Sequence, residues 1–172
     1  MSEIDRRQFA VGATLTGFLG GMFDTPHVGK TSPPFTLTTF DNQKITSAEL
    51  AGKVVVLNFW ATWCGPCRIE LPMLDAYVRR HPGDDLKLFA VATEDSVPNA
   101  KLKPLAAVLS FPLVKSISGG GYGDLGAVPT NFVIDRAGVV RYAKAAAFSA
   151  EGFDAVVRPL LAAPTPGRAT TA

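Results

Sequence analysis

The stretch Val54–Arg80 reads VVVLNFWATWCGPCRIELPMLDAYVRR, and it contains the only two cysteines of the 172-residue chain. Its first part, Val54–Trp60, is a nearly continuous apolar run of strand formers, which predicts a central strand buried on both faces of a parallel sheet. The part from Pro66 to Arg80 has the periodicity of an amphipathic helix. Cys64 and Cys67 therefore lie at a junction between a strand and a helix.

This junction favours a reactive dithiol. A thiol at a helix N-terminus is close to unpaired backbone N–H groups and to the positive end of the helix dipole, and both favour the thiolate. Pro66 suits the first helical turn, where its missing N–H has no partner to lose. We expect Cys64, at the exposed start of the helix, to be the attacking thiolate. Cys67, one turn further in, is then the more buried resolving thiol.

A zinc or copper site is the other use of two cysteines at this spacing. Zinc usually takes four ligands, and the chain offers only His27 and His81 in addition, one in a linker and one in a helix-ending turn. A copper carrier would need a nearby cluster of Met or His residues. We therefore expect no metal and no other cofactor.

Composition and charge exclude other classes of protein. Apolar residues make up 47% of the chain, which is enough for a packed core, and the net charge is +2. Lys and Arg form no run longer than two residues, so nucleic-acid binding is not indicated. The glycine-rich segment Gly119–Gly123 has neither the lysine nor the following helix of a phosphate-binding loop. A peroxiredoxin-type peroxidase would need P-x-x-x-T-x-x-C, and no proline stands four residues before Thr62.

The remaining pattern predicts an α/β fold, in which one mixed central β-sheet has helices on both faces. A strand–helix–strand order requires a parallel crossover, whereas a hairpin turn at Asp135–Gly138 requires an antiparallel pair. One helical turn, Ala48–Ala51, is predicted behind Ser47, and a last helix behind Ser149. Further strands are predicted at Phe35–Thr38, Lys44–Thr46, Leu86–Thr93, Phe111–Val114, Asn131–Ile134 and Val139–Ala143, and a helix from Asp95 or Ser96 to about Leu109.

Two motifs resemble those of a known family. FWATWCGPC with Pro72 five residues after Cys67, and Val128-Pro129-Thr130 before a strand, resemble a thioredoxin-fold protein. More narrowly, the chain resembles the TlpA/ResA-like family of extracytoplasmic thiol–disulfide oxidoreductases, over roughly Pro33–Ala163. The resemblance implies a sheet of four or five strands flanked by helices.

The resemblance also implies that Pro129 follows a cis peptide bond and faces the cysteines. A cis X-Pro bond leaves the backbone groups of Val128 free to pair with an extended substrate. The alternative is a trans proline at the start of a strand. We expect Trp63 to flank the thiol, although tryptophans are usually mostly buried. The predicted substrate-binding residues are Trp63, Gly65, Pro66 and Val128.

A proton carrier for the cysteines is predicted at Glu70. Asn58 stands where ordinary thioredoxins have a buried aspartate, and it cannot exchange a proton; family members with Asn here often carry a glutamate three residues after the second cysteine. Helix geometry agrees, because Glu70 falls on the apolar arc, one turn from Cys67. A carboxyl on that arc should have a raised pKa, which suits proton exchange with the cysteines. The alternative is a glutamate that bends out to water.

The N-terminal segment resembles an export signal. Arg6, Arg7 and Phe9 match the twin-arginine pattern, and the uncharged run Phe9–Phe23 is shorter than the roughly 20 residues of a membrane span. An ordinary amphipathic helix is the alternative. We predict a signal peptide or retained anchor over residues 1–23, a linker over 24–34, a thioredoxin-like domain over 35–163 and a flexible tail over 164–172.

The predicted function is reduction of protein disulfides outside the cytoplasm by a thiol–disulfide oxidoreductase. The Gly-Pro pair between the cysteines resembles that of reducing thioredoxins. The alternatives are a dithiol oxidase and a thiolate metal carrier. We expect a monomer, in the periplasm or tethered to the outer face of the cytoplasmic membrane, that receives electrons from a membrane thiol–disulfide protein. The family suggests cytochrome c maturation or metallo-oxidase assembly as its pathway.

Overall fold

The computed structural model of the protein describes residues 26–83, 85–94, 98–123 and 125–165. The predicted signal or anchor, the alternative helix caps Asp95 and Ser96, and most of the predicted tail lie outside these residues. Among the helices in the described ranges, none is long and apolar enough to cross a membrane. The strands are β1 (Thr36–Thr39), β2 (Lys44–Thr46), β3 (Val54–Trp60), β4 (Leu86–Ala92), β5 (Leu113–Ser118), β6 (Thr130–Ile134) and β7 (Val140–Lys144). The helices are a 3₁₀ helix (Ser47–Leu50), α1 (Gly65–Arg80), α2 (Asn99–Val108) and α3 (Ala150–Ala162).

The sheet is mixed, as predicted, but it is larger than the resemblance implied. Seven strands lie in the order β2-β1-β5-β4-β3-β6-β7, instead of four or five. β3, β4 and β5 are parallel to one another, and the other pairs are antiparallel. The sheet is wider because β5 continues to Ser118, beyond the predicted end at Val114, and so offers an edge on which the β1–β2 hairpin pairs.

The two faces of the sheet are covered unequally. Apolar side chains of α1, α2 and α3 pack together on one face, with Leu71, Leu102 and Phe153 among them. Two successive right-handed crossovers that move in the same direction across the sheet place α1 and α2 on the same side. The helix on the second face is the short 3₁₀ helix, which contributes Leu50. Tyr122 fills the rest of that face from the glycine-rich loop, in ring contact with phenylalanines 35, 59 and 132.

Of two helix caps predicted from the sequence, one differs from the structure and one agrees with it. The 3₁₀ helix is capped by Thr46 and not by Ser47, because Glu49 stands three residues after Thr46 and completes a capping box. Ser47 accepts a hydrogen bond from the N–H of Phe35 instead, at 3.2 Å. The last helix begins as predicted, with the Ser149 hydroxyl accepting from the N–H of Gly152 at 3.0 Å.

Hydrogen bonds fix the loops at the carboxyl end of β3, where the cysteines follow. The N–H and the hydroxyl of Thr93 both donate to the carbonyl of Trp60, at 3.0 and 3.2 Å. The N–H of Thr62 donates to the carboxylate of Glu94 at 2.6 Å. The turn between β3 and α1 is therefore tied to the end of the neighbouring strand β4.

Candidate active site

Cys64 and Cys67 form a disulfide at the N-terminus of α1. The S–S distance is 2.00 Å and the two Cα atoms are 5.3 Å apart. Cys64 is the N-cap residue of the helix, and its Sγ accepts a hydrogen bond from the N–H of Cys67 at 3.2 Å. Pro66 lies in the first turn, as predicted. The sulfur of Cys64 is thus held at the positive end of the helix dipole.

The expectation of an exposed Cys64 is wrong for this disulfide form. Cys64 is 3% exposed and Cys67 0%, so both are buried and differ little. In this form the Sγ of Cys64 is bonded to the buried Cys67 and packs with the core residues around it. The accessible surface next to the disulfide belongs to Trp63, Gly65 and Pro66.

Trp63 lies outside the core. Its exposed fraction is 71%, which excludes the alternative of a buried core tryptophan. Trp60, by contrast, is 2% exposed and packs in the core at the end of β3. A large exposed indole next to a reactive site is characteristic of a docking surface. Substrate binding by Trp63 stays a prediction.

The peptide bond between Val128 and Pro129 is cis, as the resemblance implied. Pro129 is buried and directly precedes β6, in which Thr130 pairs with Phe59 of β3. Because the two strands are antiparallel, Pro129 lies at the end of β6 that is next to the end of β3 leading to Cys64. The hydroxyl of Thr130 donates to the carbonyl of Ala127 at 2.6 Å and braces this turn. The backbone groups of Val128 have no hydrogen-bond partner among the described residues.

Glu70 is buried, which excludes the alternative of a side chain that bends out to water. It is 2% exposed and faces the sheet from α1. Its Oε2 accepts from Nδ2 of Asn58 at 2.9 Å. Its Oε1 accepts from Nδ2 of Asn131 at 2.8 Å and from the N–H of Phe148 at 2.7 Å. The carboxyl group thus joins α1 to two central strands and to the loop before α3.

The pKa of Glu70 is raised, in the direction that the helix pattern predicted. Burial raises it, because water no longer solvates the charged form, and the hydrogen bonds from Phe148, Asn131 and Asn58 oppose part of that rise. Tyr142 on β7 is affected in turn: burial raises the pKa of its phenol, and the charge of Glu70 raises it further. Glu70 is therefore a carboxyl whose proton affinity is tuned by its surroundings, one helical turn from Cys67.

The sequence-based reasoning missed Asn131. Asn131 is 0% exposed, pairs with Asn58 across β3 and β6, and bonds both Asn58 and Glu70. A signal was present, since a polar asparagine two residues after Pro129 precedes the apolar run Phe132–Ile134, much as Asn58 interrupts β3. The pairing of the two amides depends on the strand register, which the pattern alone did not provide.

Sequence comparisons identify relatives of this chain. The AhpC/TSA family model matches residues 28–143. The thiol–disulfide oxidoreductase ResA of Bacillus anthracis is 34% identical over 137 residues, which cover 76% of this chain and 77% of the relative. The thioredoxin-like protein YneN of Bacillus subtilis is 32% identical over 118 residues, covering 66% of this chain and 68% of the relative.

The solved structures similar to this chain include two thiol:disulfide interchange proteins. A thiol:disulfide interchange protein of the thioredoxin family from Chlorobium tepidum superposes with a TM-score of 0.64 and 28% identity, covering 77% of this chain and 96% of the other. A putative thiol:disulfide interchange protein DsbE from Chlorobium tepidum has a TM-score of 0.65 and 25% identity, covering 80% and 99%. The chain therefore belongs to the thioredoxin-like AhpC/TSA family, among its ResA-type thiol–disulfide oxidoreductases.

Proposed function

We propose that this thiol–disulfide oxidoreductase is a reductase of protein disulfides that works outside the cytoplasm. The observation that carries the proposal is the Cys64–Cys67 disulfide at the N-terminus of α1, one turn from the buried carboxyl of Glu70. The helix terminus favours the thiolate, and Glu70 is the only carboxyl group on the buried side of α1. The Gly-Pro pair between the cysteines favours the reducing direction.

In the proposed reaction Cys64 attacks first. Its thiolate forms a bond to one sulfur of the substrate disulfide, and the other substrate sulfur leaves as a thiol after it takes up a proton. Cys67 then attacks the Sγ of Cys64, the Cys64–substrate bond breaks, and the second substrate thiol leaves. The two electrons that reduce the substrate come from the dithiol, which ends as the disulfide seen here. A second dithiol protein, proposed to be membrane-bound, must reduce Cys64 and Cys67 again.

The substrate is proposed to lie across the surface around Cys64. Trp63, Gly65 and Pro66 are exposed beside the disulfide. The backbone N–H and C=O of Val128 offer main-chain hydrogen bonds to an extended polypeptide, because no described residue occupies them. Pro129 directly follows Val128, and because it is buried it is proposed to hold Val128 in place. The docking mode is thus independent of substrate side chains, which suits a protein acting on disulfides in more than one sequence context.

The cellular setting is part of the proposal. The twin-arginine-like pattern at Arg6 and Arg7 supports export, with the protein either released into the periplasm or tethered to the outer face of the membrane. We propose a signal or anchor over residues 1–23, a catalytic domain that ends at residue 163 and a tail over 164–172. The prediction of a separate linker over 24–34 is wrong for its described part, because the N–H groups of Gly29 and Ser32 donate to the carbonyls of Val140 and Gly138, both at 2.8 Å. The domain is proposed to act as a monomer.

Electron transfer from the reduced protein to a disulfide-bonded protein tests the proposal. The reduced chain, freed of small thiols, is mixed with excess substrate protein, and new substrate thiols are counted by mass after alkylation. We expect one substrate disulfide to be reduced for each chain, and none with Cys64→Ser. A chain that leaves substrate disulfides intact, while its oxidised form rapidly oxidises a substrate dithiol, would be an oxidase instead.

Removal of the Trp63 indole should weaken protein binding without changing stability. For Trp63→Ala we expect KM for a protein disulfide to rise about tenfold, as for a contact residue at an interface. The rate with the neutral small disulfide of mercaptoethanol should stay unchanged, and the free energy of unfolding should change by less than about 0.5 kcal/mol. Val108→Ala is the matched control, since Val108 is also exposed (62%) but ends α2 away from the cysteines. An unchanged KM for Trp63→Ala would remove Trp63 from the docking surface.

A further inference from the structure

We propose that Asn131 is a positioning residue for Glu70. The buried amides of Asn131 and Asn58 are oriented so that both donate to Glu70, which can then only accept hydrogen bonds and is held as a base for Cys67. The inference rests on the proton-carrier role proposed for Glu70. To Glu70 of α1 it adds Asn131 of β6, and it specifies which group donates each hydrogen bond. Two backbone groups, whose hydrogen-bonding character cannot change, fix the directions of these hydrogen bonds.

The carbonyl of Ala146 can only accept, so it fixes the orientation of the Asn131 amide. Nδ2 of Asn131 donates to that carbonyl at 3.0 Å and to Glu70 at 2.8 Å. Its Oδ1 is thereby turned toward Asn58, which donates to it from Nδ2 at 2.8 Å. Asn58 must then present the same Nδ2 to Glu70, at 2.9 Å. Reversal of either amide would place two acceptors against each other.

The second fixed group acts on Glu70 directly. The N–H of Phe148 can only donate, and it bonds the same Oε1 that Asn131 reaches. All three hydrogen-bond partners of the carboxyl group among the described residues are therefore donors, and hydrogen bonds to the charged form favour that form. The cost is visible in Asn58, whose buried Oδ1 has no partner among the described residues. An unsatisfied acceptor is tolerated where the donors of that amide are both used on the network.

This arrangement suits the resolving step. After Cys64 has formed the mixed disulfide, the Cys67 thiol passes its proton to the Glu70 carboxylate. The Cys67 thiolate bonds to Sγ of Cys64, the bond from Cys64 to the substrate sulfur breaks, and that sulfur leaves as a thiolate. It takes up the proton from Glu70, so Glu70 returns to the carboxylate. The donors on Glu70 in the disulfide form match this end state.

Other titratable groups face Glu70 from the neighbouring elements. Cys64 and Cys67 lie on the same helix, and as a disulfide they do not titrate. Tyr142 faces it from β7, and its pKa is raised above an already high ordinary value. On α3, Asp154 accepts a hydrogen bond from Tyr77 of α1 at 3.1 Å. Within the described residues, β3 and β6 contribute only the neutral amides of Asn58 and Asn131 beside Glu70.

The test replaces Asn131 by leucine, which has a similar size and no donor. Release of a preformed mixed disulfide on Cys64 is followed in single turnover against pH. We expect the release rate at pH 7 to fall about tenfold, in line with the loss of one hydrogen bond to a charged group, and to recover at higher pH. Direct evidence comes from ¹³C NMR titration of the carboxyl carbons in the oxidised protein, which has five glutamates. The Glu70 signal, assigned with Glu70→Gln, should titrate at higher pH in Asn131→Leu.

Two further variants keep the test decisive if leucine disturbs the fold. Phe132→Leu changes the next residue of β6, which packs on the opposite face of the sheet, and should lower stability without moving the Glu70 titration or the pH profile. Asn131→Asp preserves the shape of Asn131 and removes the amide donors. It should therefore shift both the Glu70 titration and the pH profile of mixed-disulfide release. A wild-type titration of Glu70 and a wild-type pH profile in Asn131→Asp or Asn131→Leu would overturn the inference. If Glu70→Gln resolves the mixed disulfide at the wild-type rate, the role of Glu70 fails, while the NMR titration still decides the role of Asn131.

Discussion

Cys67→Ala is expected to stop turnover and to leave the substrate covalently attached to Cys64. Without the resolving thiol, the mixed disulfide has no intramolecular partner and can only be cleaved by an external thiol. Cells producing the variant should yield disulfide-linked adducts that disappear on reduction. Non-reducing electrophoresis followed by mass spectrometry of the adduct identifies the substrate protein and the cysteine that carries it.

Cys64→Ala is the matched control for this trap. It retains Cys67, which is 0% exposed and has no direct access to a substrate, so it should form no adduct. The small difference in exposure between the two cysteines makes this control important, because Cys64 is itself only 3% exposed in the disulfide form. Adducts on Cys67 in Cys64→Ala, with none in Cys67→Ala, would reverse the assigned roles.

Glu70→Gln should slow turnover about 100-fold at neutral pH, within the usual contribution of a general acid–base group. Glutamine has nearly the same shape and cannot take the proton of Cys67. It also brings an NH₂ group against the donors that surround Glu70, so a fall in rate alone does not isolate proton transfer. The pH dependence does isolate it.

The sign of that pH dependence follows from burial. Burial raises the pKa of Glu70, and the resolving step needs its carboxylate. The wild-type rate should therefore rise as pH increases through the raised pKa of Glu70, and this limb should be absent from Glu70→Gln. Stopped-flow measurement of mixed-disulfide release over the pH range checks it, with Asp75→Asn as a control carboxyl on α1 outside the Glu70 network, where Asp75 pairs with Arg79 and accepts from Ser110. A Glu70→Gln profile with the wild-type limb would assign that limb to another group.

Local patterns were sufficient for the elements that surround the cysteines. The apolar run Val54–Trp60 is β3 without a change of boundary, and α1 begins one residue before the predicted start at Pro66. Such elements are predictable because their periodicity and end signals lie within a few residues of one another. Thr46, and not the predicted Ser47, could also have been identified as the helix cap, since Glu49 three residues after Thr46 is a capping-box signal.

Features that depend on contacts between segments far apart in the sequence could not be predicted from local patterns. The pairing of β1 with β5 joins residues about 80 positions apart, and nothing in either segment specifies the other. Asn131 meets Asn58 only because the register of β6 on β3 places them opposite each other. Cys64 is likewise buried in the disulfide form, where helix position alone suggested exposure. The chemistry could thus be located from the sequence, while the hydrogen-bond network around Glu70 required the structure.

The direction of electron flow is most directly tested by the reduction potential of the Cys64–Cys67 pair. The protein is equilibrated with dithiothreitol and glutathione redox buffers, and the oxidised fraction is measured by mass after alkylation. The proposed reductase should give a reducing value, close to the roughly −270 mV of thioredoxins. A value close to the roughly −120 mV of strong dithiol oxidases would contradict the account and identify an oxidase.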